Sequence, residues 1–205
     1  MNIGVLNKIR VISGERNTVI EQIQQNLRKA QFKEHSETAY YLSADPQDFF
    51  SLSFWYSLQA YEEAAVRFQA NLDPKFVSSL EWQSSNIFKL IWEHRKVHLR
   101  AAASNLRLMI FPPDQIEERI QQDMEYVRVR ANREQFSGLV ATWTGRSLNG
   151  EPITLRRVDW ASLEEQQHFF AQKSTADIIA RRRAEGVKLE YASFDLRGIY
   201  VTEAN

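Results

Sequence analysis

Along this 205-residue chain the hydrophobic period switches repeatedly between two and 3.6. From Val5 to Ile12 the residues are rich in β-branched types, and Val5, Asn7, Ile9 and Val11 fall on one face of a strand, since strand side chains alternate. Ser13-Gly14 then signals a turn. Val19, Ile23, Leu27 and Ala30 follow at helical spacing and make one apolar stripe. Beyond His35-Ser36, Thr38 to Leu42 and Phe49 to Trp55 read as strands joined by Ala44-Asp45-Pro46, a break suited to a hairpin. A second helix is predicted after Ser57, with Leu58, Tyr61, Ala65, Phe68 and Leu72 inward, and Ile87 to Val97 reads as the next strand.

The second half repeats that order. Leu106 to Phe111 is a strand stopped by Pro112-Pro113, and Asp114 with Glu117 resembles a capping box before Ile116, Ile120, Met124 and Val127. Leu139 to Thr144 and Ile153 to Trp160 are strands around a turn at Asn149-Gly150. Ser162 with Glu165 is another capping box, ahead of a helical region holding Leu163, Phe169, Phe170, Ile178 and Ile179. Arg181 to Arg183 suit its negative end, Gly186 can terminate it, and Leu189 to Val201 closes the chain as a strand with a break at Gly198.

Three identities line the halves up. Trp55-Tyr56-Ser57-Leu58 matches Trp160-Ala161-Ser162-Leu163, Lys89-Leu90 matches Lys188-Leu189, and Asn7 matches Asn105. The reading is therefore α+β: two tandem ferredoxin-like βαββαβ units, residues 1–101 and 102–205. Such a unit carries two helices on one sheet face and leaves the other open. The two antiparallel sheets are expected to pack on each other as an intrachain pseudo-dimeric α/β barrel. A further homodimer stays open.

Composition then narrows the chemistry. Twenty-six basic residues balance 26 acidic ones, so no global field draws the chain to nucleic acid. The absence of cysteine removes disulfides and thiolate chemistry. No apolar run has the length of a membrane span, and the start carries no signal-peptide pattern, so the expectation is a cytoplasmic protein without a membrane partner.

Phe54-Trp55-Tyr56-Ser57-Leu58 and Asp159-Trp160-Ala161-Ser162-Leu163, each running from a third strand into a second helix, resemble the antibiotic-biosynthesis monooxygenase family. So does the strand ending in Ser13-Gly14 ahead of a helix. That family lies in the dimeric α/β-barrel superfamily. It includes oxygenases that attack polycyclic phenols without metal or flavin, haem-degrading enzymes, and proteins without known activity. The resemblance thus implies a fold more narrowly than a reaction. The haem-degrading branch would place its histidine ligand near Pro74 or Ile179 and its ruffling tryptophan at Ala64 or Phe169. Neither copy carries the ligand, so haem is not expected.

Asn7 is the sharpest candidate, a polar residue on an otherwise apolar strand face that resembles the asparagine of the haem-degrading branch. An amide there can hydrogen-bond a substrate or bound oxygen, or merely satisfy nearby backbone. Asn105 is read as its duplicate. Trp55 and Trp160 can stack on a flat substrate and donate through the indole N–H, or serve as core plugs. His94 can act as a general base, or sit half-exposed on a strand. His35, His98 and His168 complete no ligand set, so no metal is expected. Arg156, Arg157 and Arg181 to Arg183 can hold an anion, but read more simply as solvated charges. Two functions follow. One is a cofactor-independent oxygenation of a small hydroxylated aromatic, with Asn7 and His94 catalytic and Trp55, Trp160 and Asn105 binding substrate. The other is a non-catalytic binding or regulatory protein.

Overall fold

The computed structural model describes residues 2–30, 32, 34–43, 45–96, 101–131, 138–194 and 196–201. Two compact units emerge, Met1–Lys89 with Leu196–Asn205, and Leu90–Asp195. The first contains β1 (Ile3–Val11), α1 (Arg16–Ala30), β2 (His35–Leu42), β3 (Asp48–Trp55), α2 (Leu58–Ala70), the short α3 (Pro74–Val77) and the start of β4 (Leu80–Arg95). The second contains β5 (Ala103–Ile110), α4 (Ile116–Ala131), β6 (Leu139–Ser147), β7 (Ile153–Trp160), α5 (Leu163–Ala171), α6 (Lys173–Ala184) and β8 (Lys188–Phe194). A last strand, β9 (Leu196–Val201), belongs to the first unit.

Each unit has the split βαβ order. In the first the strands run β4-β1-β3-β2, and in the second β8-β5-β7-β6. The place beside β2 is taken by β9, and that beside β6 by the C-terminal end of β4. The first compact unit is discontinuous in sequence, taking its last strand from the C-terminal end of the chain.

Local chemistry explains why these elements start and stop. Ser57 caps α2, accepting from the Ala60 N–H at 3.1 Å, and Ser162 caps α5, accepting from the Glu165 N–H at 3.1 Å. Gly186 adopts a φ of +80° behind α6, where an L side chain is strained. Arg16 clamps the β2–β3 hairpin by donating to the carbonyls of Ser43, Asp45 and Asp48. Arg10 bonds the Asp48 carboxylate at 2.7 Å and, with Lys8 nearby, holds its pKa below the ordinary carboxylate value.

Two expectations need correction. β4 starts at Leu80, well before Ile87, because cross-strand bonds to β1 hold the polar run Trp82–Asn86 in a strand that its own alternation does not announce. The last stretch comprises two strands, β8 and β9, and Gly198, expected to mark a break, lies inside β9. His98 lies outside the described residues.

The tightest backbone approach is at Gly138. A Cβ built there would sit 2.5 Å from the Cβ and Cγ of Glu165 on α5. Gly138→Ala should therefore cost about 1–3 kcal/mol through overpacking, read as a lower urea midpoint with unchanged slope.

Candidate functional site

The helix-facing surface of the first sheet has a polar seam between two apolar clusters. Ile9, Val11, Val19, Ile20, Ile23, Tyr40, Phe49 and Leu80 form one cluster. Ile3, Val5, Trp55 and Ala64 form the other, with Phe32, Leu58, Tyr61 and Ile87 packed against it. Asn7 lies between Val5 and Ile9, which belong to different clusters. The ladders place Ser85, Asn7, Ser51 and Tyr40 in one row across β4, β1, β3 and β2. The next row toward Trp55 carries Val5, Ser53 and Thr38.

Asn7 is half-buried, and its Nδ2 meets Ser51 Oγ at 3.4 Å, a long contact. Its Oδ1 takes part in no hydrogen bond among the described residues. Whichever way the amide is turned, one end retains capacity for a ligand. Trp55, by contrast, is enclosed. It is 4% exposed, donates through Nε1 to Ser53 Oγ at 2.9 Å, and meets the rings of Phe32, His35 and Tyr61. Its partner across the β1–β3 ladder is Ile3, so one row separates it from Asn7's row.

His35, which sequence reading left without a role, is buried against Trp55 with ring centroids 4.8 Å apart. Its Nε2 bonds Thr38 Oγ1 at 2.8 Å. Burial pushes its pKa down to about 4, only partly opposed by a backbone hydrogen bond at Glu37. The ring is therefore neutral near pH 7 and a weak base. Nothing in the local sequence distinguishes it from a turn histidine, because it is Trp55 of β3 that packs against its ring.

The second unit has the same plan with different chemistry. One cluster holds Ala103, Leu139 and Trp160 with Val158 and Phe169; the other holds Met109, Phe111, Ile116, Ile120 and Val187. Asn105 and Arg107 lie between them on β5. Across β7 and β6, Asn105 shares a row with Val158 and Thr142, and Arg107 shares one with Arg156 and Thr144. Trp160 is 2% exposed, packs on Phe169 at 5.0 Å, and donates through Nε1 to Asn105 Oδ1 at 2.7 Å.

These registers correct the pairing of the two asparagines. Ile3 faces Trp55 in one ladder as Ala103 faces Trp160 in the other, an offset of 100 along the first strand. Arg107 is thus the counterpart of Asn7, and Asn105 that of Val5. The Trp55–Trp160 match holds. Lys89 and Lys188 do not correspond, since Lys89 pairs with Ile3 and Lys188 with Ile110 at the far end of its ladder.

The arginines also depart from the solvated reading. Arg156, Arg157 and Arg182 are all buried, at 3%, 3% and 5% exposure. Arg156 donates to Thr144 Oγ1 at 3.2 Å. Arg157, on the opposite sheet face, bonds Asp159 Oδ1 at 2.8 Å, and Ser104 Oγ donates to the same oxygen at 2.7 Å. Arg182 bonds Glu185, which Arg119 of α4 also reaches at 3.0 Å. Arg181 and Arg183 remain exposed.

His94 lies on the part of β4 that belongs to the second unit, half-buried and stacked on Trp92 with centroids 6.1 Å apart. Its buried Nε2 has no hydrogen-bond partner among the described residues. His168 is exposed on α5. Among the described residues, Asn105 and Trp160 are the two of the five candidates in direct contact; Asn7 and Trp55 belong to the first unit, and His94 to the second. No helix among the described residues is long and apolar enough to cross a membrane.

No protein-family model matches this chain, and no curated protein matches it in sequence. Solved structures do match in fold. A candidate monooxygenase from Fusobacterium nucleatum is 11% identical with a TM-score of 0.73, over 98% of this chain and 94% of its own. An anthrone oxidase-like protein is 13% identical with a TM-score of 0.66, over 98% and 94%. A Listeria monocytogenes ferredoxin-fold protein related to antibiotic biosynthesis monooxygenases is 10% identical with a TM-score of 0.52, over 92% and 94%. What this likeness establishes is the fold: the chain is an α+β protein of two ferredoxin-like units.

Proposed function

We propose that the first unit takes up a small hydroxylated aromatic at the Asn7 seam and presents it to molecular oxygen without a metal or flavin. The supporting observation is the Asn7 amide itself, half-buried between two apolar clusters with one end unspent. An apolar site with a few placed polar groups suits a flat aromatic ligand. Two of the fold neighbours, a candidate monooxygenase and an anthrone oxidase-like protein, point to the same class of chemistry.

In the proposed reaction an electron-rich phenolic carbon acid loses a proton and its delocalised carbanion reduces O2. A carbon–oxygen bond forms, the resulting peroxide loses water, and the former CH2 carbon becomes a carbonyl. One oxygen atom enters the product and the other leaves as water, the substrate supplying all four electrons. With the amide turned so that Ser51 Oγ donates to Oδ1, Asn7 Nδ2 donates to the oxyanion or peroxide. Neutral, Thr38-bonded His35 is too weak a base to drive the deprotonation, so the acidity of the substrate itself carries that step.

The test is steady-state oxygen uptake with anthrone as the probe. Asn7→Ala should lower kcat/KM about 100-fold, the scale of one lost oxyanion donor, while Tm stays within about 2 °C. Asn7→Asp should fall at least as far, because a carboxylate repels the anion that the amide binds. A non-catalytic reading draws support from the two tryptophans, whose N–H groups are already used by Ser53 and Asn105. Saturable anthrone binding without oxygen uptake would establish that reading instead.

A further inference from the structure

The second unit carries a different seam. Trp160 Nε1–H is bonded to Asn105 Oδ1 at 2.7 Å, and this fixes the orientation of the amide. Its carbonyl oxygen is consumed by the indole, so the Nδ2 group is turned away from it as a donor. Asn105 makes no other hydrogen bond among the described residues. The indole thus does for Asn105 what no group does for Asn7. It makes the side chain a one-sided donor.

A second donor lies on the helix that packs against this cluster. Gln166 on α5 is 6% exposed, and its buried Nε2 has no partner among the described residues. A buried amide N–H without an acceptor is unfavourable and calls for an occupant. Gln166 precedes Phe169 by three residues, which puts both on one face of α5. Phe169 packs on Trp160 at 5.0 Å, and Trp160 bonds Asn105. Phe169, Trp160 and Asn105 therefore form one chain of contacts, and Gln166 shares the helix face of Phe169. Across the Asn105 row, Thr142 Oγ1 is likewise buried without a partner. The adjacent row carries the guanidinium side chains of Arg107 and Arg156.

We propose that the second unit binds an aromatic carboxylate here, with Asn105 and Gln166 donating to its carboxylate oxygens and its ring against Phe169 and Val158. The donors select an acceptor-only head, since a carboxylate offers lone pairs and no proton. A charged acceptor also takes stronger hydrogen bonds than a neutral one. The arginine row adds positive charge on the same side. The apolar cluster of Leu139, Val158, Trp160 and Phe169 selects an aromatic body over acetate or an inorganic anion. This site is separate from the Asn7 seam and does not depend on oxygenation.

The experiment is calorimetric titration of the full chain with sodium benzoate, and with benzamide as the neutral isostere. Benzoate should bind saturably and at least tenfold more tightly than benzamide. Asn105→Asp should weaken benzoate at least tenfold by replacing the donor with a like charge, and Gln166→Glu should do the same from the helix side. Asn7→Ala should leave benzoate affinity unchanged, which separates this site from the first unit. The proposal is overturned if benzoate does not saturate or if benzamide binds equally well. It is also overturned if affinity falls in Asn7→Ala, or survives in the folded Asn105 and Gln166 variants. The wild-type comparison of the two probes decides the matter even where a variant fails to fold.

Discussion

Replacing Asp159 by alanine should destabilise the chain by about 3–5 kcal/mol, the largest single-residue loss expected. The carboxylate is 4% exposed and takes hydrogen bonds from both Arg157 Nε and Ser104 Oγ. Its removal leaves the Arg157 guanidinium, itself 3% exposed, without this partner in a site where water cannot replace it. The loss comes from removing the counter-charge of a buried guanidinium more than from the bond. It follows that the double variant Arg157→Met with Asp159→Leu should recover most of the stability, because two apolar groups of similar size leave no charge to desolvate. Urea denaturation of the two variants checks both statements. If Asp159→Ala cost less than about 1 kcal/mol, water would have to reach the pair.

Acid should weaken the fold in a window set by His35. Its folded pKa of about 4 lies below the ordinary 6.5, so the unfolded chain binds the proton more readily. Stability is then fully present above about 6.5 and falls as pH drops toward 4, by up to about 3 kcal/mol. Asp48, also held below its ordinary value of 3.8, loses its contribution only at lower pH, which leaves the upper window to the histidine. His35→Gln keeps a hydrogen-bonding partner for Thr38 and removes the titration. Its urea midpoint should be nearly flat between pH 7 and 4.5, where the wild type declines. Equal slopes in the two proteins would remove His35 from the explanation.

Much of the fold is written in local signals. The turns at Ser13-Gly14 and Asn149-Gly150 fall where glycine takes φ values of +92° and +78°, and Ser57 and Ser162 cap the helices their positions announce. The Trp55–Trp160 correspondence survives because both residues occupy the same ladder place. What local pattern misses is set by pairing at long range. The polar run from Trp82 to Asn86 becomes strand only through β1. The offset of the first strands cannot be read from one shared asparagine, because the ladder rather than the residue type defines the register. The seams were half legible. Asn7 stands out against Val5 and Ile9, but a buried arginine looks like a solvated one until Asp159 or Thr144 is placed beside it, and Gln166 carries no mark in sequence.

The most direct test of the Asn7 proposal is oxygen consumption by the purified, chelator-treated chain in the presence of anthrone, against a protein-free control. The account predicts uptake that saturates with anthrone, one O2 per molecule of anthraquinone formed, at a rate proportional to protein and unaffected by the chelator. Uptake no faster than the protein-free reaction, with anthrone shown to bind, would contradict it and leave the first unit as a binding module.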